Sequence, residues 1–550
     1  MLQLFGKEIS AIQAAASLGI AAVVYVLWRD VHFTFHEPRL WLVVSGVAFL
    51  VLFRNFIPNI AWAWWGWGVL TLTWSLAPGN TLVNSLWEIL YLAALVAGLW
   101  RPGFWILNAV LLVYGLDRAI LLNIFDLQLY VSGGHHYVAG AQALLLVPLS
   151  LTFLSRESKP ALKVLLGLLF VASLYLALIS GSRAVYLPLI LVFGLTVGRL
   201  LVEGVRWYSI SATLAVTAGI LLVADGMIPN SPMLTALGGR ATVEAQVASA
   251  SDGGAFTSRL RYWDQTFDMA LDYPFGTGAG SYQAIIHAYQ KYPMSWSNSP
   301  HNLYVETVAT GGWPRLLLLL GLLLPALWGG WRSKDWPWAL AATGLWTTLA
   351  FDVTSYYPSF MMLAFCSVGA ISGNHSGFGV ERGSTKPVLK LVNWPFIILA
   401  IGLTAWWYYP CHGTGCAVER YLGLRSKIEA QLVSLEPHAR PELLQQAQEL
   451  YPKSVWVWRA KQRYETDPAA SLAIAREIAQ RFPYQHPQNY LDWANDALAL
   501  GKIEEARQAI RTGLVHFPAD EYPYGERRMT REWYQEEWVA EAQRLLLATR

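Results

Sequence analysis

Charge is what this sequence has least of. Asp, Glu, Lys and Arg together make up 14% of its 550 residues, where soluble globular domains carry about 25%. So few charges, with many apolar runs of about twenty residues, exclude a soluble fold and specify an all-α polytopic membrane protein. A net charge of +3 is too small for a nucleic-acid partner. Three cysteines exclude a disulfide scaffold. Cys366 lies in an apolar run and reads as core. Cys411 and Cys416, in Cys411-His412-Gly413-Thr414-Gly415-Cys416, either close a small loop in an oxidising compartment or stay thiols, and spacing alone does not decide. A zinc site on His412 lacks a fourth ligand nearby. The loops assigned below to the outer side hold no Asp-x-Asp pair of the kind that carries a catalytic metal. No small-residue cleavage site follows the first apolar run, so that run reads as a retained span.

What is abundant fits a membrane. The 27 tryptophans and 26 tyrosines suit aromatic belts at the two surfaces. Apolar windows predict about twelve to thirteen spans, near 9–28, 38–54, 57–77, 81–100, 103–122, 138–154, 161–180, 183–202, 207–225, 314–331, 336–353, 356–372 and 391–409. Arg156, Lys159 and Lys163, then Arg199 and Arg206, then Arg332 and Lys334, then Arg382, Lys386 and Lys390 fall by alternation on one side. The positive-inside rule makes that side cytoplasmic. The N-terminus is then cytoplasmic, and the long loop and everything after Pro410 are outside, which in a bacterium with two membranes is the periplasm. Four regions follow: membrane helices over 1–225, a large loop over 226–313, further membrane helices over 314–409, and a helical region over 420–550.

The loop is patterned. Leu260, Trp263, Phe267 and Leu271 recur at helical spacing and predict an amphipathic helix able to lie on the outer leaflet. Asp272 to Gly280 is a breaker-rich turn, and a second short helix is expected over 281–292. The loop ends in Ser299-Pro300-His301-Asn302-Leu303-Tyr304-Val305-Glu306, running into Gly311-Gly312-Trp313-Pro314. A histidine at the membrane–water boundary on a long loop is either a helix cap or a working group. Glu306, one turn on, orients His301 or caps the helix. His287 is expected on the surface, His135-His136 either line an acceptor path or are ordinary loop residues, and Asp352 reads as a structural partner. Arg183, in Ser180-Gly181-Ser182-Arg183, sits at an outer turn. It either snorkels to lipid phosphates or, with Arg259, Arg261 and Arg240, forms a guanidinium set for a diphosphate.

The last stretch regains charge. Tyr451-Pro452, Phe482-Pro483 and Phe517-Pro518 are separated by 31 and 35 residues, near the 34 of a tetratricopeptide repeat. Two to three helical hairpins are expected there, with a concave face for a protein partner. On this reading, truncation near Tyr421 leaves the membrane part and its donor binding intact.

Three pieces together resemble the O-antigen ligase superfamily of lipid A–core ligases, polysaccharide polymerases and protein O-oligosaccharyltransferases. They are Ser180-Gly181-Ser182-Arg183 with Leu187; Arg259-Leu260 and Trp263 followed by Pro274-Phe275-Gly276 and Gly278; and His301-Asn302-Leu303-Tyr304 with Glu306 and Gly311-Gly312. The resemblance implies a glycosyltransferase of the inner membrane that needs neither metal nor cofactor. Its donor is a glycan on undecaprenyl diphosphate, and its acceptor a hydroxyl of lipid A–core, of a growing glycan or of a protein. His301 is implied as the group that activates the acceptor, with Arg183, Arg259, Arg261, Arg240 and Glu306 at the substrate. The alternatives are a lipid-linked glycan flippase or a membrane-anchored scaffold of a glycan assembly complex. The scaffold leaves His301 and the arginines without a role. The flippase fits poorly with spans that carry so little charge.

Overall fold

The computed structural model describes residues 2–4, 7–9, 40–53, 57–99, 135–157, 159–179, 183–227, 255–292, 297, 299–351, 358–372, 394–408, 444–445, 448–449, 451–517 and 538–548. Apart from a small antiparallel hairpin pairing Leu2–Leu4 with Lys7–Ile9, every described element is helical. The membrane part comprises α1 (Leu40–Phe53), α2 (Asn59–Leu70), α3 (Pro78–Gly98), α4 (His135–Arg156), α5 (Pro160–Ile179), α6 (Arg183–Val202) and α7 (Trp207–Gly226). The loop contributes α8 (Ala255–Asp272) and α9 (Tyr282–Ile285). Then come α10 (Leu303–Arg332), α11 (Trp336–Thr348), α12 (Pro358–Ser372) and α13 (Trp394–Tyr408). Eleven of the expected spans are thus helices. The first opens at Ile9, which pairs with Leu2 in the hairpin; the remainder of that span and the fifth lie outside the described residues, as do Asp352, Cys411, His412 and Cys416. Among the described residues five helices are long and apolar enough to cross a membrane: Pro78–Gly98, Pro160–Ile179, Val185–Val202, Trp207–Gly226 and Leu303–Arg332. The chain is an all-α polytopic membrane protein.

Burial falls from the centre outward. α3 is wrapped by protein, with 94% of its apolar window buried, whereas α7 has 17% and leaves most of its surface uncovered by protein. α3 can be central because it meets α12 backbone to backbone. A Cβ on Gly98 would lie 1.9 Å from the Cys366 carbonyl oxygen, and one on Gly369 1.9 Å from that of Leu95. Small residues at such a crossing let helices close where no hydrophobic force separates lipid from protein. Cys366 is in this core, 1% exposed. At the opposite end from the loop, Glu203 ties three elements together. It takes the Arg156 guanidinium from α4, the indole N–H of Trp336 at 2.6 Å from α11, and lies 3.6 Å from Arg199 of α6.

α10 is broken. Gly312 adopts φ 77°, ψ 172° inside it, and Pro314 has no N–H to give. The loop turn after α8 repairs the break. Trp313 N–H donates to the Pro274 carbonyl (3.0 Å), Thr277 N–H to Ala309 (3.2 Å) and Gly278 N–H to Thr310 (2.9 Å). The Trp67 indole N–H donates to the Gly311 carbonyl at 2.7 Å. The Ala309, Thr310 and Gly311 carbonyls and the Trp313 N–H at the kink are thereby paired. The contact tolerates no side chain: a Cβ on Gly276, itself at φ 86°, would lie 2.3 Å from the Thr310 oxygen. The second loop helix is shorter than expected, one turn of α9 followed by a 3-10 turn over Ile286–Tyr289.

The C-terminal region contains α14 (Val455–Tyr464), α15 (Pro468–Arg481), α16 (Gln488–Ala499), α17 (Ile503–His516) and α18 (Val539–Ala548), with each of the first four packed on the next. Asp467 caps α15, accepting from Ala470 N–H at 3.1 Å, ahead of Pro468 at the first helical position. Leu472, Ala475, Tyr490, Trp493, Ala506 and Ile510 fill the seam.

This region is joined to the loop. Met269, Tyr282, Ile285, Ile286 and Val308 share one buried cluster with Leu444, Tyr451, Val457 and Ala460. Gln290 Nε2 donates to the Tyr484 carbonyl at 2.6 Å, and Lys453 Nζ to the Tyr289 hydroxyl at 3.1 Å. His287, expected on the surface, is 1% exposed, with Trp456 packed edge-on to it, ring centroids 5.9 Å apart. Burial, with the nearby Arg459 charge, holds its imidazole down at about 3. Truncation is therefore expected to loosen the loop as well as remove the C-terminal region. A chain ending near residue 440 leaves Met269, Tyr282, Ile285 and Ile286 without their cover. Limited proteolysis of that chain in nanodiscs should cut within 264–292 at least about fivefold faster than in the full chain, as follows from a loss of about 1–2 kcal/mol of local stability. Unchanged cutting would return the region to an independent appendage.

Candidate functional site

The site grows from the place where α8 meets the start of α10. The indole of Trp263 donates to the Pro300 carbonyl at 2.8 Å. Asn302 then caps α10, its Oδ1 accepting from Tyr304 N–H (2.9 Å) and Val305 N–H (3.1 Å). Leu303 N–H reaches the Leu349 carbonyl (2.8 Å), and the Tyr304 hydroxyl that of Trp346 (3.1 Å), fixing the same turn to the end of α11.

His301 sits between these anchors at φ 55°, the one positive φ among the described residues other than glycine. Such a conformation costs about 1–3 kcal/mol and persists only where the surroundings impose it. Here Ser299 Oγ accepts from His301 N–H at 3.0 Å. The imidazole stacks on Tyr262 of α8, centroids 6.0 Å apart and planes 21° apart. Its Nε2 is 3.3 Å from Ser297 Oγ, while Nδ1 has no hydrogen-bond partner among the described residues. Burial, and after it the positive charge of Arg259, lowers the ring to about 4. At neutral pH His301 is an uncharged imidazole with a lone pair on one nitrogen, the form able to take a proton.

The residues expected around it separate. Arg259 is half-buried and acts on His301 through its charge. Arg261 turns aside, its guanidinium 5.0 Å above the Tyr292 ring. Arg183 opens α6; its side chain, like the whole of Arg240, is outside the described residues. Asn302 fills the cap role, and Glu306 faces the nest between α8 and α9. There burial pushes the Tyr282 phenol up and the Glu306 charge adds to it. Thr266 Oγ1 and the Tyr282 hydroxyl meet at 3.1 Å in the same nest. Among the described residues no three of His, Cys, Asp and Glu gather as metal ligands would.

Sequence reasoning passed over two contributors. Tyr262 and Ser297 flank His301, and an aromatic in a helical pattern or a serine in a polar run carries no signal by itself. Glu88 and Arg315 did carry one, since Glu88 is the one charge of α3 and Arg315 the one charge between the two end turns of α10. They form an ion pair deep between α3 and α10, their side chains 3% and 5% exposed, with the guanidinium 4.9 Å above Trp64. Two glycines clear its path. A Cβ on Gly311 would lie 2.1 Å from Arg315 Cδ, and one on Gly68 3.1 Å from both Arg315 Cζ and Glu88 Oε2. The pair thus pins α10 just beyond its kink, on the far side of the half-helix that starts after His301.

Comparison with curated proteins and with solved structures returns no match. Residues 168–320, less than a third of the chain, match the family described as O-Antigen ligase. The match runs from within α5 through α8, the glycine turn and His301 into the second half of α10. Over this segment the chain is similar to the O-antigen ligases, a likeness that supports a membrane enzyme of glycan transfer.

Proposed function

We propose that the protein transfers a glycan from undecaprenyl diphosphate to an acceptor hydroxyl at the periplasmic face of a bacterial inner membrane. The observation that carries this reading is His301, held neutral in a constrained turn beside Arg259 and inside the segment similar to the ligases. The anomeric carbon of the donor breaks its bond to the diphosphate oxygen and forms one to the acceptor oxygen. His301 takes the acceptor proton, and Arg259, with Arg183 and Arg240, holds the departing diphosphate. Arg261 serves at the rim. Guanidinium forks match phosphate oxygens bidentately and supply the charge that a metal supplies elsewhere. The acceptor is a lipid A–core, a growing polysaccharide or a protein. The helical pairs from Val455 onward are read as tetratricopeptide-like repeats that present a protein partner. Regions 1–225, 226–313, 314–409 and 420–550 serve as N-terminal membrane helices, catalytic loop, C-terminal membrane helices and repeat domain. The likeness to the ligases favours chemistry over the flippase reading.

The test uses purified protein in nanodiscs with a lipid-linked glycan, a chelator, and lipid A–core, a glycan chain and a pilin as acceptors. Transfer to one of them is expected, and Arg259→Lys should lose at least about tenfold, because lysine keeps the charge without the fork. No transfer to any acceptor, with intact donor crossing the bilayer of proteoliposomes, would make the protein a transporter.

A further inference from the structure

α8 has two opposite faces. Met269 and Ala270 are buried, as are Gln265 and Thr266. Leu260, Phe267 and Leu271 are 45%, 42% and 72% exposed. At 100° per residue, spacings of seven and eleven place these three within about 20° of one line along the helix. The line does not stop at the helix end. Phe275, 60% exposed, follows it and packs near Trp67, ring centroids 6.4 Å apart. The Pro274 carbonyl is bonded to Trp313 N–H, and Trp313 (43%) and Leu317 (66%) are exposed on α10, one of the membrane-crossing helices. Asp268 and Asp272 lie about 80° and about 120° from the line and Asp264 about 40° from it, at its edge; all three are engaged, Asp264 and Asp268 with Lys291 and Asp272 with the Tyr289 hydroxyl at 2.8 Å.

An apolar row of this size does not stay in water unpaired, and this one continues into a surface that faces lipid. We propose that the Leu260–Phe267–Leu271 face of α8 is a membrane-binding surface, seated at the headgroup–acyl boundary of the leaflet on the loop side. Its partner is the phospholipid monolayer itself. Arg259 directly precedes Leu260, so this seating fixes its guanidinium near the depth of lipid phosphates. For the transfer reading above, on which this consequence alone rests, that is the depth of a lipid-borne diphosphate.

Nitroxide labels on Phe267→Cys and, separately, Leu271→Cys in the otherwise complete protein test the seating without reference to activity. The protein is held in nanodiscs of phosphatidylethanolamine and phosphatidylglycerol. Both labels should collide more with oxygen, which concentrates in lipid, than with a water-soluble nickel chelate, and an Asp268→Cys label should show the reverse. Chelate-dominated collisions at 267 and 271 would put the face in water. Low collisions with both reagents would put it against protein, such as a second copy of the chain. Either result overturns the proposal and leaves the transfer reading to its own assay.

Discussion

His301→Ala is expected to cut transfer by about a hundred- to ten-thousand-fold, the range for removing a general base, while the protein still folds and binds donor. The turn that holds residue 301 is set by Trp263 on Pro300 and by the Asn302 cap, neither of which needs the imidazole. The pH dependence carries the sharper signature. A ring held at about 4 by burial and by Arg259 stays neutral, and so competent, well below the usual histidine midpoint of about 6.5. The acid limb of kcat/KM, which reports the free enzyme, should therefore lie near 4. Arg259→Gln, removing the cationic neighbour, should move that limb upward while weakening donor binding. An acid limb that stays at the ordinary histidine position would mean that His301 is solvated and that its turn plays no part in tuning it.

Glu88→Leu is expected to be the most damaging change to stability. It leaves the Arg315 guanidinium, 5% exposed, without its counter-ion inside the bundle. Breaking a buried pair this way costs about 3–5 kcal/mol, whereas replacing both partners by apolar residues is often neutral. The double variant Glu88→Leu with Arg315→Met should recover most of the thermal midpoint lost by the single one. Activity should not recover in step if the pair also fixes α10 beyond the half-helix that starts after His301. A single variant as stable as the wild type would show that the guanidinium finds water or another partner.

Much of the fold was legible because bilayer physics leaves few options. Runs of apolar residues must be helices, and eleven appear where the hydropathy windows place them. Of the apolar face expected from Leu260, Trp263, Phe267 and Leu271, Leu260, Phe267 and Leu271 form an exposed row, whereas Trp263 is half-buried with its indole on the Pro300 carbonyl. Tertiary packing was not legible. Nothing in the pattern around His287 announces that Trp456, far along the chain, covers it. Gly276 reads as part of a breaker-rich turn and Gly312 as part of a separate motif, yet their meaning is mutual, since a Cβ on Gly276 would meet the Gly312 N and one on Gly312 the backbone of Phe275. Of the residues singled out for chemistry, His301 and Arg259 come together. Arg261 goes to Tyr292 and Glu306 toward Tyr282, because side-chain direction on a helix depends on neighbours that the sequence does not order in space.

The most direct test follows the donor itself. Purified protein in nanodiscs, with chelator present, is given lipid-linked glycan and acceptor, and both glycan transfer and free undecaprenyl diphosphate are measured over time. The account predicts release of one diphosphate carrier per glycan transferred, and loss of both signals together in His301→Ala. Carrier release at the wild-type rate in His301→Ala, or transfer that stops when divalent metal is removed, would contradict it.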